Sequence, residues 1–291
     1  MASFRSLRAK YASLLRQFAA STRDLEVLTS VSTEPNSPAK TLYVLDSSFN
    51  PPTFAHLRIA STALLERPDP SSRLLLLLAT QNADKATKPA PFEDRLAMME
   101  LFAHDLRTHL ANTKANMASS EPTEELVYIP SIDIGVTKKP YFVDKAAAIE
   151  ACDIYPSPLE QVHLTGYDTL IRILNPEYYP PEHNLEPLVP LFSKHRLRVT
   201  LRPSDEWGTK DEQREFVDSI ARGDMEKNGV RREWAQRITL VNGRAPGAPS
   251  VSSTKARQAM QSAVEDLDWL VPENVKQFVS SEKPYSEDPK T

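Results

Sequence analysis

Residues 41–66 read TLYVLDSSFNPPTFAHLRIASTALLE, and their order decides the fold. Thr41 to Leu45 is a short β-rich run. Asp46 to Ala55 is a loop of small and turn-forming residues, and His56 to Glu66 carries apolar residues at helical spacing. Strand, loop and helix make half of a βαβ unit, and the pattern recurs. Arg73 to Thr80 (RLLLLLAT) is a continuous apolar run of the kind buried on both faces of a parallel sheet. Pro91 to Leu110 predicts a long amphipathic helix, with proline near its start where the missing N–H costs nothing. Leu126 to Ile134 predicts a strand, Val143 to Ala151 a helix, and Gln161 to Thr165, Arg196 to Leu201 and Arg237 to Val241 three further strands. Strands alternating with helices imply an α/β protein with a doubly wound parallel sheet. Residues 111–124 and 175–190 are polar or proline-rich and read as surface excursions; Trp234 and Trp269 lie on helical patterns and are expected in the core.

Outward from that unit, the 291 residues suffice for one α/β domain with an appendage. Hydrophobic residues at 40% and charged residues at 25% describe a globular chain. The net charge of −4 offers no bulk attraction to nucleic acid or to an acidic membrane. The single cysteine, Cys152, excludes an intrachain disulfide and a multi-thiolate metal site. Proline outnumbers glycine, 24 to 7, so loops are stiff and each glycine is informative. Residues 1–40 read as an N-terminal amphipathic helix (Phe4, Leu7, Tyr11, Leu14, Leu15, Phe18) and a linker, 29–40. The polar face of that helix is basic and lacks acids, which also describes a mitochondrial targeting segment. A helix docked on the main domain of a cytoplasmic or nuclear protein is the expectation, and a mitochondrial address the alternative. The main domain is expected over 41–280, and 281–291 as a disordered tail.

In an open parallel sheet the ligand sits at the carboxyl ends of the strands, where strand order reverses. The exit loop of the first strand, Asp46-Ser47-Ser48-Phe49-Asn50-Pro51-Pro52-Thr53-Phe54-Ala55-His56, is therefore the place to look. Its small residues can turn backbone N–H groups toward a ligand, and the residue before proline is held extended. His56 stands at a helix start, where free amides and the dipole favour an anion. A second segment, Val251-Ser252-Ser253-Thr254-Lys255-Ala256-Arg257, also opens a helix. A serine there can serve merely as the cap. Arg257, one turn beyond Thr254, adds a forked cation on the hydroxyl's face, and together they make a phosphate clamp.

The two segments, SSFNPPTxxH and SSTKxR, resemble the nucleotidylyltransferase superfamily, with its signatures (H/T)xxH and SSTxxR. Within it the chain is most similar to the nicotinamide mononucleotide adenylyltransferases, in their divergent fungal branch. A third match, Leu164-Thr165-Gly166-Tyr167-Asp168, is a GxD turn at a strand end, and Arg95-Leu96-Ala97-Met98-Met99-Glu100 and Asp268 to Val275 are looser ones. The resemblance, spanning about 41–279, implies a Rossmann-like nucleotidylyltransferase fold and adenylyl transfer from ATP to the 5′-phosphate of nicotinamide mononucleotide, giving NAD and pyrophosphate. It implies that Ser47, Ser48 and Phe49 line the phosphates and that Thr53 and His56 contact those of ATP. Lys85 or Lys88 would swing in from a loop, Gly166 would let the ligand approach, and Asp168 would hold a ribose. Ser253, Thr254, Lys255, Ala256 and Arg257 would hold the triphosphate, with Mg2+ carried on it and no protein metal site. Tyr179, with Tyr178 as fallback, takes the place of the ring-stacking aromatic, and Arg202 that of a substrate-facing arginine. His56, Arg257, Lys85 and Lys88 carry the catalytic expectation.

Two departures stand out: Ser47 replaces the family's glycine, and 132–141 holds no tryptophan where one is usual. Another phosphate acceptor, or an ATP-binding interaction protein with weak ATPase activity, are the alternatives. Partners are expected to be small molecules, neither nucleic acid nor membrane, with a homo-oligomer left open.

Overall fold

The computed structural model describes residues 3–32, 38–81, 89–118, 128–204, 206–243, 248–262 and 264–285. In chain order these form α1 (Phe4–Ala20), β1 (Leu25–Val31), β2 (Thr41–Asp46), α2 (Phe54–Glu66), β3 (Ser72–Ala79), α3 (Phe92–Ala118), β4 (Ile132–Thr137), α4 (Phe142–Glu150), β5 (Glu160–Gly166), α5 (Tyr167–Ile173), α6 (Val189–Lys194), β6 (Arg196–Thr200), α7 (Lys210–Arg222), β7 (Ile238–Val241), α8 (Ser253–Ser262), α9 (Leu267–Leu270) and α10 (Glu273–Glu282). Among the described residues the strands make one seven-stranded sheet in the order β1-β4-β3-β2-β5-β6-β7. β2 pairs in parallel with both β3 and β5, so the order reverses beside β2 and the loops leaving β2 and β5 face one crevice.

The leucine run explains the layers. Leu74, Leu76 and Leu78 point into a core shared with α1, α2, α3 and the last helices. Leu75 and Leu77 point to the opposite face, toward Ile149 of α4 and Tyr155. Alternation along a strand thus fills both faces of the sheet. A further core behind β6 holds α5, α6 and Trp234, which stacks on Phe192 at 4.6 Å.

Several expectations need correcting. Residues 29–40 are not all linker: Thr29, Ser30 and Val31 end β1, which pairs antiparallel with β4. β1 (LEVLTSV) has no alternation clear enough to announce it; Asp133 of β4 ties it down, accepting from Ser30 Oγ at 2.5 Å, Arg73 Nη2 at 2.6 Å and Tyr155 at 2.8 Å. The strand expected at 126–134 starts at Ile132, and α3 runs to Ala118, into the supposed excursion. Residues 175–190 are no surface excursion, since Tyr179, Leu185 and Leu188 are buried. Trp269 is 38% exposed rather than core, its indole N–H satisfied by Asp266. Of the tail, Ser281 and Glu282 end α10 and Tyr285 packs on the main core; 286–291 lie outside the described residues.

Helix α1 is docked. Leu7, Tyr11 and Phe18 are buried, Tyr11 donates to Glu100 at 2.6 Å, and Arg8 pairs with Asp94 and with Glu282. The basic face of α1 meets acidic side chains of α3 and α10.

Candidate active site

The exit of β2 is built around His56. Thr53 is the N-cap of α2; its backbone N–H donates to His56 Nδ1 at 3.0 Å, and its hydroxyl lies 2.9 Å from the same nitrogen. An Nδ1 that accepts leaves the proton on Nε2, which meets Ser47 Oγ at 3.0 Å. The ring packs 5.4 Å from Phe49, and burial pushes its pKa down to about 4. His56 is therefore a neutral N–H donor at pH 7. The residue keeps partial exposure. Thr53 is fully buried and spends its polar groups on the imidazole, so it orients His56 and does not face a phosphate.

Phe49 takes a left-handed backbone (φ 44°), strained for a residue with a side chain, and its ring is fully buried against Phe102. That contact turns the following residues back under α8. There Ser253 Oγ donates to the Pro51 carbonyl at 2.8 Å and Arg257 Nη1 donates to the Asn50 carbonyl at 2.8 Å, while Arg257 Nη2 reaches Thr254 Oγ1 at 3.3 Å. Two segments some 200 residues apart are thus latched together. Ser252 caps α8, accepting the Lys255 N–H at 3.2 Å, and the Lys255 ammonium meets Ser250. Thr254 and Lys255 are exposed at the helix start. Ala256 is buried and its N–H is taken by the Ser252 carbonyl, so it anchors the helix and holds no phosphate.

The exit of β5 supplies the other wall. Gly166 caps α5, and a Cβ there would fall 2.6 Å from Asp168 Oδ1, so the residue must be small for the carboxylate to fold back. Asp168 Oδ1 lies 3.4 Å from Arg202 Nη1. Between the exits opens a cleft of about 420 Å3 lined by Asp46, Ser47, Ser48, Asp168 and Tyr179 among others. Tyr179 donates to the Ile173 carbonyl at 2.9 Å, and burial holds its hydroxyl protonated. Its ring lies 6.4 Å from that of Tyr141, which with Tyr178 completes an aromatic lining.

The sequence missed Tyr141, Lys145 and Arg172 as cleft residues. Lys145 is 5% exposed and paired with Asp46 at the cleft floor. On an amphipathic helix it looked like any surface lysine, and only burial distinguishes it. Lys85 and Lys88 lie outside the described residues. His163, fully buried, meets Gln161 Oε1 at 3.1 Å and has its pKa pushed down to about 3; it is a core residue behind the cleft. Among the described residues no cluster of His, Cys, Asp and Glu could hold a metal ion.

A sheet parallel except at its edge strand β1, whose switch point gathers a small-residue turn, an imidazole donor and a guanidinium beside an aromatic cleft, defines a nucleotide-binding α/β protein. The cytidylyltransferase-like family model matches residues 44–129, which include the first of the two segments. A Schizosaccharomyces pombe protein named "Putative nicotinamide mononucleotide adenylyltransferase" is 34% identical over 277 residues, covering 95% of this chain and 97% of its own. A Plasmodium falciparum nicotinic acid mononucleotide adenylyltransferase complexed with NaAD superposes with a TM-score of 0.50 at 11% identity, covering 86% of this chain and all of that one, a likeness of fold. The chain belongs to the nucleotidylyltransferase family, in the group of its S. pombe relative, and is an enzyme of that class.

Proposed function

We propose that the protein transfers the adenylyl group of ATP to the 5′-phosphate of a pyridine mononucleotide, with nicotinamide mononucleotide, the acceptor in the relative's name, as the first expectation. One observation carries this reading: the Arg257 side chain rests on the loop that ends at His56, so one triphosphate can lie across the starts of α2 and α8.

An acceptor phosphate oxygen attacks the α-phosphorus of ATP in line; the bond to the bridging oxygen breaks and pyrophosphate leaves with its electron pair. The attacking oxygen is already ionised at pH 7, so no general base is required. The difficulty is bringing two polyanions together, which makes catalysis positioning and charge compensation. His56 Nε2–H, released from Ser47, donates to an α-phosphate oxygen. Arg257, Thr254 and Lys255 take the outer phosphates, and Lys85 or Lys88, outside the described residues, would add further positive charge. Magnesium carried by the triphosphate supplies further neutralisation. Asp168 accepts from ribose hydroxyls, Arg202 turns its carboxylate toward them, and Tyr179 stands by the acceptor's ring.

Incubation with ATP and nicotinamide mononucleotide, followed by a dehydrogenase-coupled readout of NAD, tests this. NAD and pyrophosphate in equal amounts are expected. ATP binding or slow ATP hydrolysis without NAD would overturn it in favour of an ATP-binding interaction protein, and turnover restricted to another phosphate acceptor would reassign the substrate.

A further inference from the structure

A second cavity, of about 330 Å3, opens at the amino ends of β2, β5 and β6, beside the last turn of α2. The ligands of an open parallel sheet meet its carboxyl ends, so adenylyl transfer leaves this cavity unused. Tyr43 of β2 forms part of its wall. The residue is 6% exposed, yet its hydroxyl has no hydrogen-bond partner among the described residues. A tyrosine buried this far ordinarily finds one. Burial pushes the Tyr43 pKa up against the opposing pull of Arg67 and then Arg198, which places both guanidinium groups near the hydroxyl.

The carboxylates around the cavity are already engaged. Glu66 Oε2 accepts from Nε and Nη2 of Arg198 at 3.0 and 2.8 Å. Glu160 accepts from Arg196 Nε at 2.7 Å, and Asp69 from the N–H and hydroxyl of Ser71. Donors are left over. Among the described residues Arg67 has neither a carboxylate nor a hydrogen-bond partner, and Arg196 spends only its Nε. As the C-cap of α2, Arg67 could merely complement the negative end of that helix. A salt-bridged sheet face would likewise account for Arg196 and Arg198. Neither accounts for the Tyr43 hydroxyl, buried beside Arg67 and facing the same space.

We propose that this cavity is a second anion site, taking a phosphate group, free or on a compact organic carrier, through the Tyr43 hydroxyl, Arg67 and the outer nitrogens of Arg196. The three donors come from β2, the end of α2 and β6. A tetrahedral phosphate accepts from several directions at once, whereas a planar carboxylate is best served by a single fork. Ala63 and Val162 add an apolar patch against which a small carrier can lie. The site stands apart from the adenylyl-transfer cleft, and its occupancy does not depend on the reaction proposed there.

Calorimetric titration of the full chain with inorganic phosphate, and with ribose 5-phosphate as a carrier form, tests this. Both are run with saturating ATP, which occupies the starts of α2 and α8, and again without it. One equivalent of phosphate is expected to bind in the presence of ATP. Its Kd is expected to rise about fivefold in Tyr43→Phe and about tenfold in Arg67→Gln, with turnover in phosphate-free buffer within twofold of wild type. The first variant keeps the buried ring and the second changes an exposed side chain, so both fold; equal melting temperatures without phosphate check this. Tighter binding of ribose 5-phosphate than of inorganic phosphate would identify the carrier form as the occupant, and the reverse order the free ion. Binding that ATP abolishes, binding that neither variant weakens, or no binding of either probe would overturn the inference. A phosphate site that behaves as expected in a protein that makes no NAD would overturn the proposed reaction alone.

Discussion

His56 shows how one residue's chemistry is set by its immediate company. Two donors at Nδ1 fix the tautomer and burial removes the charge, so what the ring offers is one N–H, aimed at Ser47 Oγ. A lost transition-state donor of this kind costs about 2.7–4 kcal/mol, so His56→Ala is expected to lower kcat about 100-fold or more without changing the fold. A loss below about fivefold in a steady-state assay would remove the role assigned to it. Ser47 makes the converse case. Its hydroxyl holds the donor that the proposed mechanism gives to a phosphate, and a net hydrogen bond is worth about 1 kcal/mol, so Ser47→Ala is expected to raise kcat/KM for ATP by about two- to fivefold. A tenfold loss would mean that the hydroxyl binds substrate instead. The buried histidines also set an acid limit. His56 and His163 have folded pKa values near 4 and 3, below the ordinary 6.5, so the unfolded chain binds more protons as pH falls. Stability is expected to be flat above pH 6.5 and to decline on acidification from there toward pH 3–4, and His163→Gln to flatten that slope in melting curves. Sequence placed His56 at the exit of the first strand, yet its charge state depends on packing that spacing does not encode.

At the scale of elements, what matters is which segments are held together. The α8 latch on the β2 exit loop uses the planar fork of Arg257 on a backbone carbonyl and a neighbouring hydroxyl. Lysine keeps the charge but loses the fork, so Arg257→Lys is expected to lower kcat/KM about tenfold or more while ATP still binds. Activity within twofold of wild type would show that charge alone suffices. The edge strand β1 depends on one carboxylate. Asp133 is fully buried with three donors, including Arg73, so Asp133→Ala strands a buried cation and is expected to cost about 3–5 kcal/mol in urea unfolding. A cost under about 1 kcal/mol would show that β1 is held by its ladder alone. The helices and apolar strands were legible because period 3.6, period 2 and an unbroken leucine run each have a distinct burial solution. β1 was not, since its apolar residues follow neither period and an edge strand is chosen by its partner.

Across the whole molecule, the N-terminal helix closes the larger core. Leu7, Tyr11 and Phe18 are buried against α3 and the last helix, and each large side chain so buried is worth about 1.5–3 kcal/mol. Removing residues 1–23 is therefore expected to lower the melting temperature by about 10 °C or more. A shift under about 3 °C in differential scanning calorimetry would show the helix to be dispensable. Most of the alternation of strands and helices and the two turns that open α2 and α8 were written in the chain, because local spacing and turn chemistry depend on neighbours a few residues away. Which cations the fold leaves uncancelled, that Lys145 is buried on Asp46, that Ala256 and Thr53 serve the scaffold, and that α8 bears on the β2 loop were decided only by the folded arrangement. These depend on burial and on contacts between residues as much as 200 positions apart, and neither quantity exists until the sheet has formed.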